Sequence, residues 1–489
     1  MGFFGRLNYD YKGKYLVEVS GRYDGNSKFP SNQRWGFFPS ASVGWRISEE
    51  PFMAGAKSWL DNLKIRASFG STGNGQVDNY LFLSKIAIKK NLGFLTGDSP
   101  LIYADKPSLI PDGLTWETVS TYDLGLDWEM LNGRLSIVAD IYRKNTTDMY
   151  VVGPELPAVF GNSAPKGNYA DMRTDGWEAS ISWRDNFKLG GKDFSYNLKF
   201  AIWDNVTKVT KYMATTNTLP TNYATNYYEG MTLGELWGYT CNGLFQSNEE
   251  AQTYADYSKF AQNKIVWQKG DPKYEDLNGD GRIDNGSNRL EDHGDLSIIG
   301  NINPHYMFGV NLAANWNGIG LSVFLQGVMK RDWYPSPDSG YFWGKYARPF
   351  MWVLGIHNYT DDMYSEEKNN WDTAYWPRMT TYQSNSSYSW TKLLEIPNTR
   401  YKQNAAYLRV KNIQVDYTFP KALCQKIRLG GLKIYLSGEN LFTFTPLHKY
   451  APNFDPEALG YDTDFSSTAG DGYTYPVLKS VTLGVNITF

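Results

Sequence analysis

Apolar and polar residues alternate with a period of two wherever the pattern of this chain is regular. Apolar Trp177, Ala179, Ile181 and Trp183, for example, share one face of a segment whose other face is polar. A period of two is typical of β-strands. The pattern predicts an all-β fold with strands near 2–11, 14–24, 34–48, 61–71, 118–131, 134–145, 175–186, 192–206, 304–316, 319–330, 405–419, 431–443 and 478–489.

The connections between these predicted strands are alternately short and long. Short ones lie at Lys12-Gly13, Asn132-Gly133, 185–192 and Asn317-Gly318, and the Asn-Gly pairs suit tight hairpins. Long ones span 72–117, 146–174, 207–303, 331–404 and 444–477, although loops beyond about 12–15 residues are uncommon in compact domains. Short turns at one end and long loops at the other are typical of outer-membrane barrels. The pattern favours a transmembrane antiparallel β-barrel over a soluble all-β protein.

The last predicted strand has an unbroken apolar face made of Val481, Leu483, Val485, Ile487 and Phe489. A final amphipathic strand that ends in Phe resembles the assembly signal of outer-membrane barrels. A soluble sandwich would bury this face between two sheets, whereas a transmembrane barrel would turn it towards lipid.

Composition narrows the function classes. Aromatic residues make up 16% of the chain, including 36 Tyr and 17 Trp, and Tyr and Trp favour strands and membrane–water interfaces. A soluble sandwich or a glycan-binding protein could share that composition. The net charge of −3 shows no excess of basic residues of the kind that binds nucleic acid. Cys241 and Cys424 are too few for a disulfide framework, and no stretch approaches the about 18 apolar residues of a transmembrane helix.

Several stretches, in order from end to end, resemble the C-terminal half of SusC/RagA-type TonB-linked outer-membrane transporters. They include GRLNYDYKGKYLVEVSGRYDGNSKF, RWGFFPSASVGWRISEEPF, LDNLKIRASFGSTGNGQ, TYDLGLDWEMLNGRLSIVADIYRKNTTDMY, KYEDLNGDGRID, IIGNINPHYMFGVNLAANWNGIGLSVFLQG, AAYLRVKNIQVDYTFP, LSGENLFTFTP and SVTLGVNITF. The resemblance implies a barrel of about 22 strands, plugged by an N-terminal domain. It also implies TonB-energised import of an oligosaccharide or, as in some members, a peptide. The implied partners are a SusD-like surface lipoprotein that lids the barrel, TonB itself and outer-membrane lipid.

The strand pattern also predicts that residues 1–489 are the C-terminal part of such a barrel, without its plug and early strands. The first predicted strand precedes a short turn and the last follows a long loop, so both should run inward. Because bacterial barrels have an even strand number, an odd number of upstream strands is expected. A count of about 22 strands would leave about nine for that upstream region.

The sharpest local motif runs from Asp276 to Asp284 and resembles the start of a calcium loop. Oxygen ligands would come from Asp276, Asn278, Asp280, the backbone carbonyl of Arg282, and Asp284, with Gly281 at the sharp turn. Position 12 is Ser287 instead of the usual Glu, so Glu291, Asp292 or Asp295 would have to complete a site for a structural Ca²⁺ or Mg²⁺. The alternative is a polar turn held by side-chain to backbone hydrogen bonds.

Two other sets of residues are candidates for contact with substrate. The predicted 331–404 loop is rich in aromatic residues, which could stack on sugars, but we favour packing into the loop's own core or against the lid protein. The aromatic residues are Trp333, Tyr334, Tyr341, Phe342, Trp343, Tyr346, Phe350, Trp352, Trp371, Tyr375, Trp376 and Trp390. Charges predicted on the inner face are Glu18, Arg22, Lys64, Arg66, Glu178 and Arg184, for which a paired or solvated role is favoured.

The sequence contains no G-x-S-x-G elbow, P-loop or His-Glu-x-x-His motif, and the chain is not expected to be an enzyme. The two acids of Asn453-Phe454-Asp455-Pro456-Glu457 keep one enzyme alternative open, a soluble glycoside hydrolase, which needs two carboxyl groups about 5–9.5 Å apart. A non-energised porin is the alternative among transport proteins.

Overall fold

The fold was analysed in a computed structural model, which describes residues 1–90, 95–96, 99–100, 102–111, 113–213, 217–220, 226–259, 267–336, 339–343, 362–378, 393–394, 396–459 and 477–489. Its main feature is a 13-stranded antiparallel sheet whose strands are hydrogen-bonded in sequence order. The strands are β1 Gly2–Tyr11, β2 Tyr15–Gly25, β3 Trp35–Arg46, β4 Leu60–Asn74, β5 Glu117–Met130, β6 Leu135–Val152, β7 Lys166–Leu189, β8 Lys192–Tyr212, β9 His305–Trp316, β10 Ile319–Lys330, β11 Tyr407–Thr418, β12 Gly431–Phe444 and β13 Ser480–Thr488.

The chain divides into two compact units. The first comprises Met1–Ala179, Asn205–Thr216 and Tyr227–Thr232, and the second comprises Ser180–Asp204, Asn217–Asn226 and Leu233–Phe489.

The 13-stranded sheet confirms the predicted all-β fold class and the thirteen predicted strands.

Three strands continue well beyond their predicted ends, which corrects the predicted boundaries of 134–145, 175–186 and 192–206. These are β6, β7 and β8, which reach Val152, begin at Lys166 and reach Tyr212 respectively. The predicted 146–174 loop is thus largely strand. In these extensions polar residues occur on both faces, so the period-two contrast that revealed the other strands is lost although the backbone pairing continues.

The turn between β7 and β8 also differs from the predicted 185–192 connection. Pairing runs on to Leu189, and only Gly190 and Gly191 form the turn, with φ values of +60° and +75°. Two residues with positive φ make a hairpin turn that matches the twist of the flanking strands, and glycine adopts it without steric cost. The predicted tight turn at Asn317-Gly318 is confirmed, with φ values of +50° and +85°.

In the first unit the connections carry short elements of their own. These are two 3₁₀ turns at Ile47–Glu49 and Pro51–Ala56, a third at Ala158–Phe160, and the small strand pairs Ile88–Lys89 with Tyr103–Ala104 and Leu95–Thr96 with Ser99–Pro100. The long 75–116 connection therefore contains secondary structure.

The second unit has a larger structured loop region. Its strand pairs are Glu235–Tyr239 with Leu296–Asn301, Cys241–Leu244 with Pro272–Tyr274, and Asp332–Trp333 with Gln403–Asn404. Among the described residues of this unit, helices run over Asn248–Thr253, Gly340–Trp343 and Lys421–Lys426, with a 3₁₀ turn at Pro446–Lys449. The Ser247 side chain caps the first helix by accepting the backbone N–H of Glu250. Across the described segments, no helix is long and apolar enough to cross a membrane.

Candidate functional site

An exposed apolar row crosses the strands of the first unit. Cross-strand pairing joins Val17 to Val43, Val43 to Ala67, Ala67 to Leu124, and Leu124 to Ile141. Val17, Val43, Leu124 and Ile141 are all exposed. An aligned row of exposed aliphatic side chains is too extensive for a water-facing surface and is typical of strands that contact lipid.

The second unit has an equivalent row that reaches the final strand. Leu321 pairs with Val415, Val415 with Leu436, and Leu436 with Leu483. Val481, Leu483 and Val485 are 70%, 73% and 53% exposed. A soluble sandwich would bury this face, so the exposure separates the two architectures left open by the sequence, in favour of a lipid-facing strand.

The opposite face of the first-unit sheet is polar and ion-paired. Arg66 binds both carboxylate oxygens of Asp140 at 2.7 Å, and its Nε lies 3.3 Å from Asp127 Oδ1. Lys64 Nζ lies 3.7 Å from Asp127. Arg66 can reach Asp140, two strands away, because Gly125 between them has no side chain: an added Cβ would lie 2.5 Å from Asp140 Oδ1. The sequence did not single out Gly125, because a glycine in a strand does not show which charges meet above it.

The other predicted inner-face charges are also placed on strands. Glu18 pairs with Arg6 at 3.4 Å, and Arg22 pairs with Asp24 at 2.9 Å. Glu178 and Arg184 are exposed on β7. The four charges with these ion pairs, Glu18, Arg22, Lys64 and Arg66, have the paired role that the sequence favoured.

Most described aromatic residues of the predicted 331–404 loop pack into a core, as favoured from the sequence. Trp333, Tyr334, Phe342, Trp343 and Trp376 belong to one buried cluster with Leu236, Leu394, Tyr401, Ala405, Leu447, Ala451, Phe454 and Leu459. Tyr375 packs against that cluster, Trp371 packs against a second one, and Tyr341 is exposed. Tyr346, Phe350, Trp352 and Trp390 lie outside the described residues. Burial raises the pKa of Tyr334 and Tyr401, so both hydroxyls remain neutral donors, to the carbonyls of Leu394 and Tyr375 respectively.

The acids of the 453–457 motif hold a loop against β11. Arg409 is almost fully buried, and its Nη2 and Nη1 lie 2.5 Å from Asp455 Oδ1 and 2.9 Å from Glu457 Oε2. Lys411 Nζ lies 2.6 Å from the same Glu457 oxygen. Arg409 pairs in register with Gln326 and Thr443, and so lies on the polar face of the second-unit sheet. Both acids thus serve an ion-paired attachment, which gives them a structural role that the sequence did not predict.

A second arginine attaches the same loop through its backbone. Arg331 donates hydrogen bonds to the carbonyls of Ile302, Pro456 and Leu459, at 3.2, 3.1 and 2.6 Å. Phe454 is buried next to Trp333, with ring centroids 5.0 Å apart. Residues 454–459, which we call the strap, are therefore fixed by ion pairs, backbone hydrogen bonds and a buried ring.

The predicted calcium-like loop is a compact polar turn. Asp276 accepts the backbone N–H groups of Gly279 and Gly281, Asn278 accepts that of Asp280, and Asp280 accepts that of Arg282. Further along, Asp284 Oδ1 accepts the N–H of Gly286. Among the residues that the structure describes, no three His, Cys, Asp or Glu side chains are grouped as metal ligands.

The side chain of Asp295 is fully buried against this turn. It accepts the N–H groups of Leu277 and Asp284, each at 2.8 Å. Burial raises the pKa of the Asp295 carboxyl, against the opposing effect of these hydrogen bonds. Glu291, Asp292 and Asp295 are the residues predicted to supply the cation ligand that Ser287 cannot. Of these three, Asp295 is the one that accepts backbone N–H groups on both sides of the turn.

Two loops of the first unit meet around a cavity of about 870 Å³. Lys106 Nζ donates to the carbonyl of Gly161 at 2.7 Å, and Asn162 donates to that of Pro107 at 3.0 Å. We call six of the exposed apolar residues of these loops the loop patch; they are Leu83, Ile86, Ile88, Ile102, Val159 and Phe160. Exposed apolar clusters beside polar rims are typical of protein interaction sites.

Comparisons with known proteins agree with this geometry. The family described as TonB dependent receptor-like, beta-barrel matches residues 1–270. "TonB-dependent receptor P3" of Formosa agariphila is 27% identical over 505 residues, covering 99% of this chain and 45% of that protein. "TonB-dependent receptor SusC" of Bacteroides thetaiotaomicron is 24% identical, covering 100% and 44%. The solved RagAB peptide transporter superposes with a TM-score of 0.70 at 22% identity, covering all of this chain and 47% of that one, which shows a shared fold.

The fold and its two faces define an outer-membrane β-barrel protein. The chain belongs to the TonB-dependent receptor-like β-barrel family, a family of transport receptors. The predicted family, fold class and outer-membrane location are confirmed. The chain spans about half the length of the curated relatives it matches.

Proposed function

We propose that this chain forms the C-terminal barrel portion of a TonB-dependent importer that takes an oligosaccharide or a peptide across the outer membrane. The main support is the opposition of two faces on one set of strands, with exposed aliphatic rows on one side and the Arg66–Asp140 network on the other. An aqueous polar interior inside a lipid-facing wall is the arrangement that a solute path requires. The RagAB complex, which has a similar fold, is described as a peptide transporter.

The proposal places the plug, the TonB-contacting segment and the remaining strands in the other half of a longer receptor. The support is that relatives aligned with essentially all of this chain are covered over only 44–46% of their own length. Energy coupling to TonB would then depend on that other half.

A SusD-like surface lipoprotein is the proposed partner, and the loop patch is its proposed contact. The 75–116 and 153–165 loops follow the ends of β4 and β6 that lie away from the tight turns, which in outer-membrane barrels is the outer side. Six exposed apolar residues on loops joined by the Lys106 and Asn162 hydrogen bonds suit a lid protein better than water.

The transport proposal can be tested in the native host by deleting the gene and restoring either the intact receptor or an empty vector. Uptake of fluorescent oligosaccharides and of fluorescent peptides is measured in each strain, with and without functional TonB. We expect one of the two substrate classes to require both the receptor and TonB. Uptake that needs the receptor but not TonB would indicate a non-energised porin, and unchanged uptake of both classes after deletion would contradict the proposal.

A further inference from the structure

The connection between β3 and β4 is much longer than the two nearest tight turns at the same end of the sheet. Residues 47–59 join strands at the same end as the tight β1–β2 and β5–β6 turns, where three and four residues reverse the chain. They fold into 3₁₀ turns at Ile47–Glu49 and Pro51–Ala56. Reversal of the chain does not require this extra length.

Glu50 fixes the connection to a pair of aromatic residues. Its Oε1 accepts the Tyr15 hydroxyl at 2.7 Å and the Trp45 indole N–H at 3.2 Å, while Lys14 Nζ lies 3.2 Å from Oε2. Tyr15 and Trp45 are cross-strand partners in the same phase as Val17 and Val43, so both lie on the exposed apolar face. The connection therefore folds onto the lipid-facing side of the sheet edge.

The residues that follow Glu50 present the chemistry of a membrane–water interface. Phe52 is 69% exposed, and Trp59 is exposed as well. Lys14 and Lys57 lie in the same region, where they pair with Glu50 at 3.2 Å and with Glu49 at 3.7 Å. Aromatic rings with basic neighbours favour the headgroup region of a bilayer, where the rings leave water and the ammonium groups remain hydrated.

We propose that residues 47–59 form an interfacial anchor in which Phe52 inserts among the phospholipids of the periplasmic leaflet and Glu50 fixes its position. Lipid is the proposed occupant because the anchor is continuous with the lipid-facing row through Tyr15 and Trp45. The periplasmic side follows from the tight turns, which lie inside in barrels of this class. The inference depends on the outer-membrane location and is independent of the transported substrate.

The test places a spin label at Phe52→Cys in the complete receptor, with Cys241 and Cys424 replaced, in phosphatidylethanolamine–phosphatidylglycerol liposomes. Glu129→Cys is the matched control, because Glu129 is exposed near the same end of the sheet but on its polar face, opposite Ser136. We expect the label at position 52 to collide more with oxygen and less with a water-soluble nickel chelate than the control label. Equal nickel accessibility at the two positions would overturn the proposal.

Two substitutions in the Phe52→Cys background test the role of Glu50. Glu50→Ala removes the acceptor for Tyr15 and Trp45 and should raise nickel accessibility at position 52, whereas Glu50→Gln retains an acceptor oxygen and should change it little. No change in either variant would contradict the positioning role. If the substitution prevents folding, the depth measured without it still decides whether lipid is the occupant. Protection of the label in cells but full water exposure in liposomes would assign the surface to a protein and overturn the proposal.

Discussion

Arg66 on β4 and Asp140 on β6 form a two-point ion pair although β5 lies between their strands. The Nη1–Oδ1 and Nη2–Oδ2 distances are both 2.7 Å, and Gly125 of β5 provides the space for the contact. The pair joins β4 and β6 across β5, on the face opposite the lipid-facing row.

Gly125→Ala should therefore destabilise the barrel, because the added methyl group displaces a largely buried charge pair. We expect a loss of about 1.5–3 kcal/mol, the range for hydrogen bonds to charged groups. It is measured as a lower temperature at which the folded, fast-migrating form disappears on gels. Gly70→Ala is the matched control, because its added Cβ would be 3.6 Å from the nearest atom, Ser40 Oγ. Equal midpoints for the two variants would show that Gly125 does not provide necessary space.

Arg409→Met should loosen the strap, because Asp455 and Glu457 would lose their buried partner. Removing one member of a buried ion pair costs about 3–5 kcal/mol, whereas the exposed Arg22–Asp24 pair should contribute little because water screens it. Limited proteolysis of the two Arg→Met variants, followed by mass spectrometry, measures the effect. We expect faster cleavage in 446–459 only for Arg409→Met. Cleavage at the same rate in both variants would argue against the attachment.

The strands could be predicted from the sequence because each has a lipid-facing and a polar side, and that contrast is local. The predicted boundaries of β6 and β7 were wrong where both sides of the strand are polar, because no contrast between apolar and polar positions remains there. The Arg409–Asp455 contact could not be predicted from the sequence for a different reason. The two residues are 46 positions apart, and their pairing depends on how the loop returns to β11. Burial of the aromatic loop could be predicted as a class, but the sequence did not show that Trp343 would be buried and nearby Tyr341 exposed.

Calcium binding by the 276–295 loop stays a prediction, which calorimetry on the purified receptor can test. Each carboxylate oxygen that accepts one backbone N–H keeps a further lone pair for a cation. We expect dissociation constants of about 10⁻⁴–10⁻³ M, as in extracellular calcium modules, and weaker binding for Asp280→Asn than for the control Glu249→Gln. Absence of heat at millimolar calcium would contradict the site.

The pH dependence of that binding has a definite sign. Burial raises the pKa of Asp295, so this carboxyl takes up a proton at a higher pH than an exposed Asp. If Asp295 completes the site, protons compete with calcium, and on acidification the affinity should begin to fall at a higher pH than in the Asp295→Asn variant. The same pH dependence in both proteins would show that Asp295 does not contribute.

Charged substitutions in the loop patch should weaken capture of the proposed lid lipoprotein. Ile86→Asp and Val159→Asp place a carboxylate in the proposed apolar contact, where desolvation would oppose binding. Co-purification with a tagged receptor measures the effect, and Lys90→Asp, an exposed charged position on the same loop, is the control. Recovery of the lipoprotein at the control level in both patch variants would place the partner's contact elsewhere.

The exposed apolar side of the strands faces lipid, and comparison of Leu483→Arg with Thr482→Arg tests this orientation most directly. These neighbours on β13 lie on opposite faces, with Leu483 beside Leu436 and Thr482 beside Ser437. An arginine on the lipid face costs about 2–4 kcal/mol at the bilayer midplane, whereas the polar side can solvate it. We predict that Leu483→Arg strongly reduces the folded receptor recovered from outer membranes while Thr482→Arg leaves most of it. Equal recovery, or the opposite order, would contradict the account.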